Sequence, residues 1–233
     1  MKPKAIFVDI DGTLTDNEPG NVYPLEKHIC RNPIFGVIRD AMVDKGWKPE
    51  EARRSIEEYA DRIIWWDYPD FIAEFSLPPA ETWERIFDWH RQYLMVYEDG
   101  VEMVKELFSQ GWKLFVVSNN PIVGCLLKLK RAGLGDIDGS KYFRRILGAN
   151  ILRGQKSQPA LWQKAFAQVG VDPAFAVVVG DNPQEDGDIP LELGLGRAII
   201  VCRAMEEEMQ ASDRRIFVRS LSQVPFLLKP LVS

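Results

Sequence analysis

The chain contains three short apolar runs, residues 5–8 (Ala-Ile-Phe-Val), 113–117 (Lys-Leu-Phe-Val-Val) and 176–179 (Ala-Val-Val-Val), and each stops abruptly at polar side chains. They are too short for buried helices, and none alternates apolar with polar residues as a half-exposed strand would. Each therefore reads as a strand buried on both faces, which is the pattern of a parallel sheet covered by helices on both sides. The segments between them agree. Val101, Val104, Leu107 and Phe108 mark a helix before Gly111, a second helix ends near Gly133, and a third runs over residues 159–169 up to Gly170. Residues 143–147, 198–202 and 216–218 supply further strands, with a charged helix expected between the last two. The result is an α/β chain with a doubly wound parallel sheet. Such sheets bind ligands beyond the carboxyl ends of their strands. The polar stops fall there: Asp9 and Asp11 after the first run, Ser118 and Asn119 after the second, Asp181 with Asp186 after the third. Asn120 before Pro121 reads as the N-cap of the helix that follows.

Residues 17–96 have a different rhythm. Ala52, Ile56, Tyr59 and Ile63 recur at near-helical spacing behind Pro49, and Trp83, Ile86, Phe87, His90 and Leu94 do so behind Pro78 and Pro79. Another helix is expected from Phe35 to a stop at Gly46. No strand-like run interrupts, so this segment reads as an all-helical domain (17–96) inserted into a core of residues 1–16 and 97–233. Its stretch Ile63-Ile64-Trp65-Trp66-Asp67-Tyr68 is dense in aromatic rings. Trp65 and Trp66 are candidate contacts for a bound sugar or base, and filling a small helical core is the competing role.

Composition removes several classes of function. With 46% hydrophobic and 27% charged residues the chain is neither disordered nor fibrous. A net charge of -5 argues against a nucleic-acid partner. No apolar run is long enough to span a membrane and the amino terminus has no leader pattern, so no membrane partner and a cytoplasmic location are expected. Cys30, Cys125 and Cys202 are few and widely spaced, as reduced thiols are, and form neither a disulfide framework nor a zinc site.

The chemistry is carried by the strand ends. Asp9 and Asp11 stand one residue apart beside a buried strand, and like charges so placed repel unless a cation compensates them. Clustered carboxylates without histidine or cysteine suit a hard, oxygen-seeking ion, for which Mg2+ is the natural choice. Ser118, the backbone amides around Asn119 and the ammonium group of Lys156 offer hydrogen bonds and positive charge to a phosphoryl group.

Taken in order, these residues resemble the motifs of the haloacid dehalogenase (HAD) superfamily, and the resemblance covers the whole chain. Asp9-Ile10-Asp11-Gly12-Thr13 is similar to its first motif, Val117-Ser118-Asn119 to its second, Lys156-Ser157-Gln158-Pro159 to its third, and Gly180-Asp181 with Asp186 to its fourth. The helical insert is similar to the family's C1-type cap. The resemblance implies a phosphatase acting on a small phosphorylated metabolite, with Asp9 as nucleophile and Asp11 as general acid and base. It implies Mg2+ held by Asp9, Asp181 and the backbone carbonyl of Asp11, with Asp186 in the outer shell, and a phosphoryl group held by Ser118, Asn119 and Lys156. Asp11 should then have a carboxyl able to change protonation near neutral pH, which burial and a like-charged neighbour would favour. Members that cleave carbon–halogen bonds lack this second aspartate. Two positions depart from the pattern: Ser157 stands where proline is common after the lysine, and Asp188 competes with Asp186 for the outer carboxylate. The motifs leave open whether the phosphoryl group passes to water or back to a sugar, as in a phosphomutase, and a non-catalytic partner-binding role is the alternative of another class. Substrate, pathway and oligomeric state have no signature.

Overall fold

The structure, a computed structural model, describes residues 5–17, 34–63 and 65–229. The chain divides into two compact units, Met1–Asp16 with Val96–Ser233, and Asn17–Met95.

In the first unit, strands β1 (Ala5–Val8), β4 (Lys113–Val117), β5 (Phe143–Leu147), β6 (Ala176–Gly180), β7 (Arg197–Val201), β8 (Met209–Ser212) and β9 (Arg215–Val218) form one sheet in the order β5-β4-β1-β6-β7-β9-β8. Every pair is parallel except β8 with β9. Val8 lies opposite Val116 on one side and Val179 on the other, so the first three apolar runs end level with one another. The chain winds from β1 out to β4 and β5, then returns to β6 and β7 on the far side. The crevice at the end of β1 is thus the topological switch point of the sheet.

Two cores account for the unbroken apolar runs. Ile6, Val8, Leu114, Val116, Val177 and Val179 face helices α5 (Glu98–Ser109), α6 (Ile122–Arg131) and α10 (Val224–Leu228). Ala5, Phe7, Phe115, Val117, Ala176 and Val178 face α7 (Ala149–Leu152), α8 (Pro159–Val169) and α9 (Ile189–Glu192). Successive residues of a strand point to opposite faces, so with both faces covered neither parity tolerates a polar side chain. Each fully buried valine, isoleucine or phenylalanine stabilises the fold by roughly 1.5–3 kcal/mol. Gly170 ends α8 in the left-handed conformation at φ 65°, the expected C-terminal signal. The charged helix expected after β7 does not form. Residues 209–212 instead make β8, an edge strand exposed along its whole length. Glu206, Glu207 and Glu208 give the segment no apolar face to bury, and main-chain pairing with β9 organises its end.

The second unit contains α1 (Ile34–Asp44), α2 (Pro49–Ala60), α3 (Tyr68–Glu74) and α4 (Pro79–Tyr93). Aromatic rings fill its interior: Phe35 meets Trp66 at 5.1 Å and Phe71 at 4.8 Å, and Tyr68 stands edge-on to Trp83 at 5.6 Å. Trp66 is 3% exposed and is a core residue of this unit, whereas Trp65 is partly exposed. The sequence pattern does not foretell α3, which is only seven residues long; the Asp67 carboxylate caps it by accepting from the Tyr68 N–H at 2.8 Å. His90 is buried on α4 with Nδ1 2.8 Å from the Ile86 carbonyl. Strands β2 (Thr15–Asn17) and β3 (Leu94–Val96) pair where the chain passes between the units. The expected start of the helical segment, with Cys30, lies outside the described residues. Among the described residues no helix is long and apolar enough to cross a membrane.

Candidate active site

The side chains that follow β1, β4 and β6 meet at the switch point. Asp9 is 5% exposed, and its N–H donates to the Val179 carbonyl at 2.9 Å, which holds it level with the end of β6. Gly12 turns the chain back at φ 69°, and a Cβ there would lie 2.2 Å from Asp181 Oδ2. Gly12→Ala therefore combines an unfavourable backbone conformation with a clash against a carboxylate. We expect a loss of about 2 kcal/mol, read as a drop of roughly 4–8 °C in the thermal midpoint.

Carboxylate oxygens of Asp9, Asp181 and Asp186 all lie within 4.8 Å of one another. Lys156, its side chain 4% exposed, places Nζ 2.8 Å from Asp9 Oδ1 and 2.8 Å from Asp186 Oδ1. Asp186 owes its direction to Pro183–Asp188, a π-helical segment capped by Asn182, whose Oδ1 accepts from the N–H groups of Gln184 at 3.0 Å and Glu185 at 3.1 Å. The wider turn brings Asp186 inward, where its Oδ2 also accepts from the Asn182 N–H at 3.2 Å. Asp188 instead pairs with Arg215 at the surface.

Ser118 and its two neighbours divide the remaining work. Ser118 is buried, and its Oγ accepts from Asn120 N–H at 3.1 Å and from Asn120 Nδ2 at 3.0 Å. The Asn119 amide is a brace: Oδ1 accepts from the Lys156 N–H at 2.7 Å and Nδ2 donates to Glu185 Oε2 at 2.8 Å. That tie fixes the lysine loop, where Ser157 provides no proline stiffness. Trp162 Nε1 secures the same segment by donating to the Glu185 carbonyl at 2.9 Å. Asn120 is not the cap of α6. Asn150 Oδ1 accepts from the Ile122 N–H at 2.9 Å, while the Asn120 side chain turns to Asp11 and Lys128.

Lys128 is the residue that motif reading misses. It lies on α6 and is buried, and its ammonium pairs with Asp11 Oδ1 and donates to Asn120 Oδ1 at 3.2 Å. A lysine in the run Leu-Leu-Lys-Leu-Lys-Arg reads as a solvated charge. The signal that could have found it is its place on the apolar stripe, since Gly124, Cys125 and Leu129 are the other buried residues of that helix.

These neighbours set the charges. Burial pushes Asp9 well above the usual carboxylate range, with Asp186, Asp181 and Asp11 adding to the rise and Lys156 opposing it. Asp181 is exposed as a residue, yet desolvation of its carboxyl, with Asp186 and Asp11 nearby, pushes it up to about 6 against the pull of Lys156. Lys156 is raised: burial alone would lower it, and Asp186 and Asp9 outweigh that. Asp11 departs from expectation. Burial would raise it, but the Lys128 ion pair and the hydrogen bond from Asn120 hold it below the usual range. The three-carboxylate cluster contains only oxygen donors, which fits a hard divalent cation and suits neither zinc nor copper.

The sequence profile of the haloacid dehalogenase-like hydrolases matches residues 3–188. A "Phosphoglycolate phosphatase" of Pseudomonas savastanoi pv. phaseolicola is 27% identical over 77% of this chain, and the aligned region spans only 63% of that protein's length. An "Enolase-phosphatase E1" of Sulfurihydrogenibium sp. is 24% identical over 78% of this chain and 81% of its own. Among solved structures, a "HAD phosphatase from Thermococcus onnurineus" superposes with a TM-score of 0.65 and 28% identity, covering 98% of each chain.

Proposed function

Because the chain belongs to the haloacid dehalogenase-like hydrolase family, we propose that it is a Mg2+-dependent phosphatase that hydrolyses a small phosphorylated metabolite through an aspartyl-phosphate on Asp9. The observation that carries this reading is the placement of Asp9: a buried carboxylate at the switch point, 2.8 Å from the Lys156 ammonium group. Asp9 attacks phosphorus, and the bond to the leaving oxygen breaks. Lys156 and the Ser118 hydroxyl bind the phosphoryl oxygens, with the backbone amides around Asn119. Asp11 takes up a proton as substrate binds, donates it to the leaving oxygen, and later takes one from the water that attacks phosphorus as the bond to Asp9 breaks. Lys128 favours the carboxylate form of Asp11, which is the form the second step needs. Asp9, Asp181 and the Asp11 carbonyl would hold Mg2+, with Asp186 in support, and the ion when bound supplies positive charge to the phosphoryl oxygens. The helical unit is the C1-type cap in this reading, and the location is the cytoplasm.

Two relatives are named a phosphoglycolate phosphatase and an enolase-phosphatase, which supports a small phosphate ester as the substrate class. Phosphate release from a panel of sugar phosphates, phosphoglycolate and p-nitrophenyl phosphate with Mg2+ tests the proposal. Free phosphate supports it. An isomerised sugar phosphate without free phosphate would replace it by a phosphomutase, and an inert chain across the panel would leave a binding role.

Metal binding has its own readout in stability. Asp181 rises from 3.8 to about 6 on folding, and Asp9 rises too. Over this range the folded chain holds more protons than the unfolded one, so metal-free stability falls as pH rises from about 4 through about 6, and the raised Asp9 contributes a fall of the same sign. Mg2+ competes with those protons. We expect it to raise the thermal midpoint only slightly at about pH 5 and fully at about pH 8, as read by melting with Mg2+ or with chelator. A midpoint indifferent to Mg2+ at both pH values removes the metal assignment.

A further inference from the structure

We propose that Lys128 and Asn120 are positioning residues that fix the Asp11 carboxylate beside Ser118, an inference that rests on the phosphatase reading of the site. Lys128, Asn120 and Asp11 form a closed circuit, to which Ser118 is tied through Asn120. Lys128 Nζ pairs with Asp11 Oδ1, Asn120 Nδ2 donates to Asp11 Oδ2, and Lys128 also donates to Asn120 Oδ1 at 3.2 Å. The same Asn120 amide reaches Ser118 Oγ at 3.0 Å. Both oxygens of Asp11 are thus held, and the two groups that hold them are bonded to each other, so the carboxylate cannot turn without breaking several contacts at once.

The circuit is one-sided. Lys128 is 3% exposed and approaches from within the protein, whereas the Asp11 side chain is 41% exposed. A carboxylate oxygen has about two lone pairs, and each oxygen of Asp11 uses one here, leaving the others to meet a proton from the open side. A lysine placed only to stabilise the fold would not need this arrangement. Here the ammonium group orients a carboxylate that stays accessible. Asn120 links that carboxylate, from the end of β1, to the serine at the end of β4, so the proton donor and the phosphoryl-binding hydroxyl are set relative to each other.

The test uses the full chain with Mg2+ and two esters, p-nitrophenyl phosphate, whose leaving group departs without a proton, and benzyl phosphate, whose leaving group needs one. Lys128→Met should lower kcat/KM on benzyl phosphate by about 100-fold and on p-nitrophenyl phosphate by less than about 5-fold. Asn120→Ala should show the same bias, at about 10-fold, and serves alone if Lys128→Met does not fold. In an Asp11→Asn background, Lys128→Met should add almost nothing, because it acts through the group already removed. Equal losses on both esters, or effects that multiply with Asp11→Asn, would overturn the inference and leave the phosphatase reading standing. A wild-type chain inert on both esters and on the wider panel would end that reading and this inference with it.

Discussion

Asp9→Asn is expected to lower phosphate release by about 10^4-fold or more, with the thermal midpoint unchanged or raised. The amide keeps the shape of the carboxylate and cannot attack phosphorus. Its effect on the fold follows from charge. Burial pushes Asp9 well above the usual carboxylate range, which means that the folded chain disfavours its ionised form. A neutral side chain relieves that, and Lys156 is not orphaned because Asp186 Oδ1 remains 2.8 Å from Nζ. Loss of activity with an intact melting curve would assign the effect to chemistry. Activity within about tenfold of wild type would remove Asp9 from the nucleophile role.

Lys156→Met should be damaging on two counts. It removes positive charge from the proposed phosphoryl site, with an expected loss of about 10^3-fold or more in phosphate release. It also leaves Asp9 and Asp186 facing one another in the interior without the ammonium group that now lies 2.8 Å from each. Removing one member of a buried ion pair costs about 3–5 kcal/mol, which at roughly 2–4 °C per kcal/mol predicts a drop on the order of 10 °C. The dependence on pH separates this cause from poor packing. Lys156 is raised above its ordinary 10.5, so the wild-type pair persists below that value and would be lost only as pH rises through the higher folded one. In the variant Asp9 loses the ammonium that opposed its upward shift, so the deficit should be large at about pH 8 and small at about pH 4. A deficit equal at both values would mean that methionine fails there for reasons of shape.

What could be read from the sequence follows a physical division. The apolar runs at 5–8, 113–117 and 176–179 announce strands buried on both faces, because burial on both faces erases alternation. The polar residues that stop them mark the switch point. Lys128 could not be recognised locally, since its burial is defined by Asp11, more than a hundred residues away in the chain. Asn120 looked like a cap because Pro121 follows it, and only the tertiary contact shows that Asn150 serves Ile122 instead. The short helix α3 and the exposed strand β8 lack a long periodic signal, one being a single capped segment and the other lying wholly in solvent. The downward shift of Asp11 was hidden for the same reason as Lys128.

The π-helical segment at Pro183–Asp188 has a consequence for anyone who would make this protein more robust. A π turn is an α turn carrying an extra residue, and deleting one residue there would restore the regular pitch and the tighter hydrogen bonding that goes with it. It would also rotate Asp186 by about 100° away from Lys156, since each residue of an α-helix advances that far around the axis. The tighter turn would therefore come only by taking Asp186 from Lys156 and leaving Asp9 as that lysine's carboxylate partner, so regular pitch and the charge balance of the site are opposed in this segment.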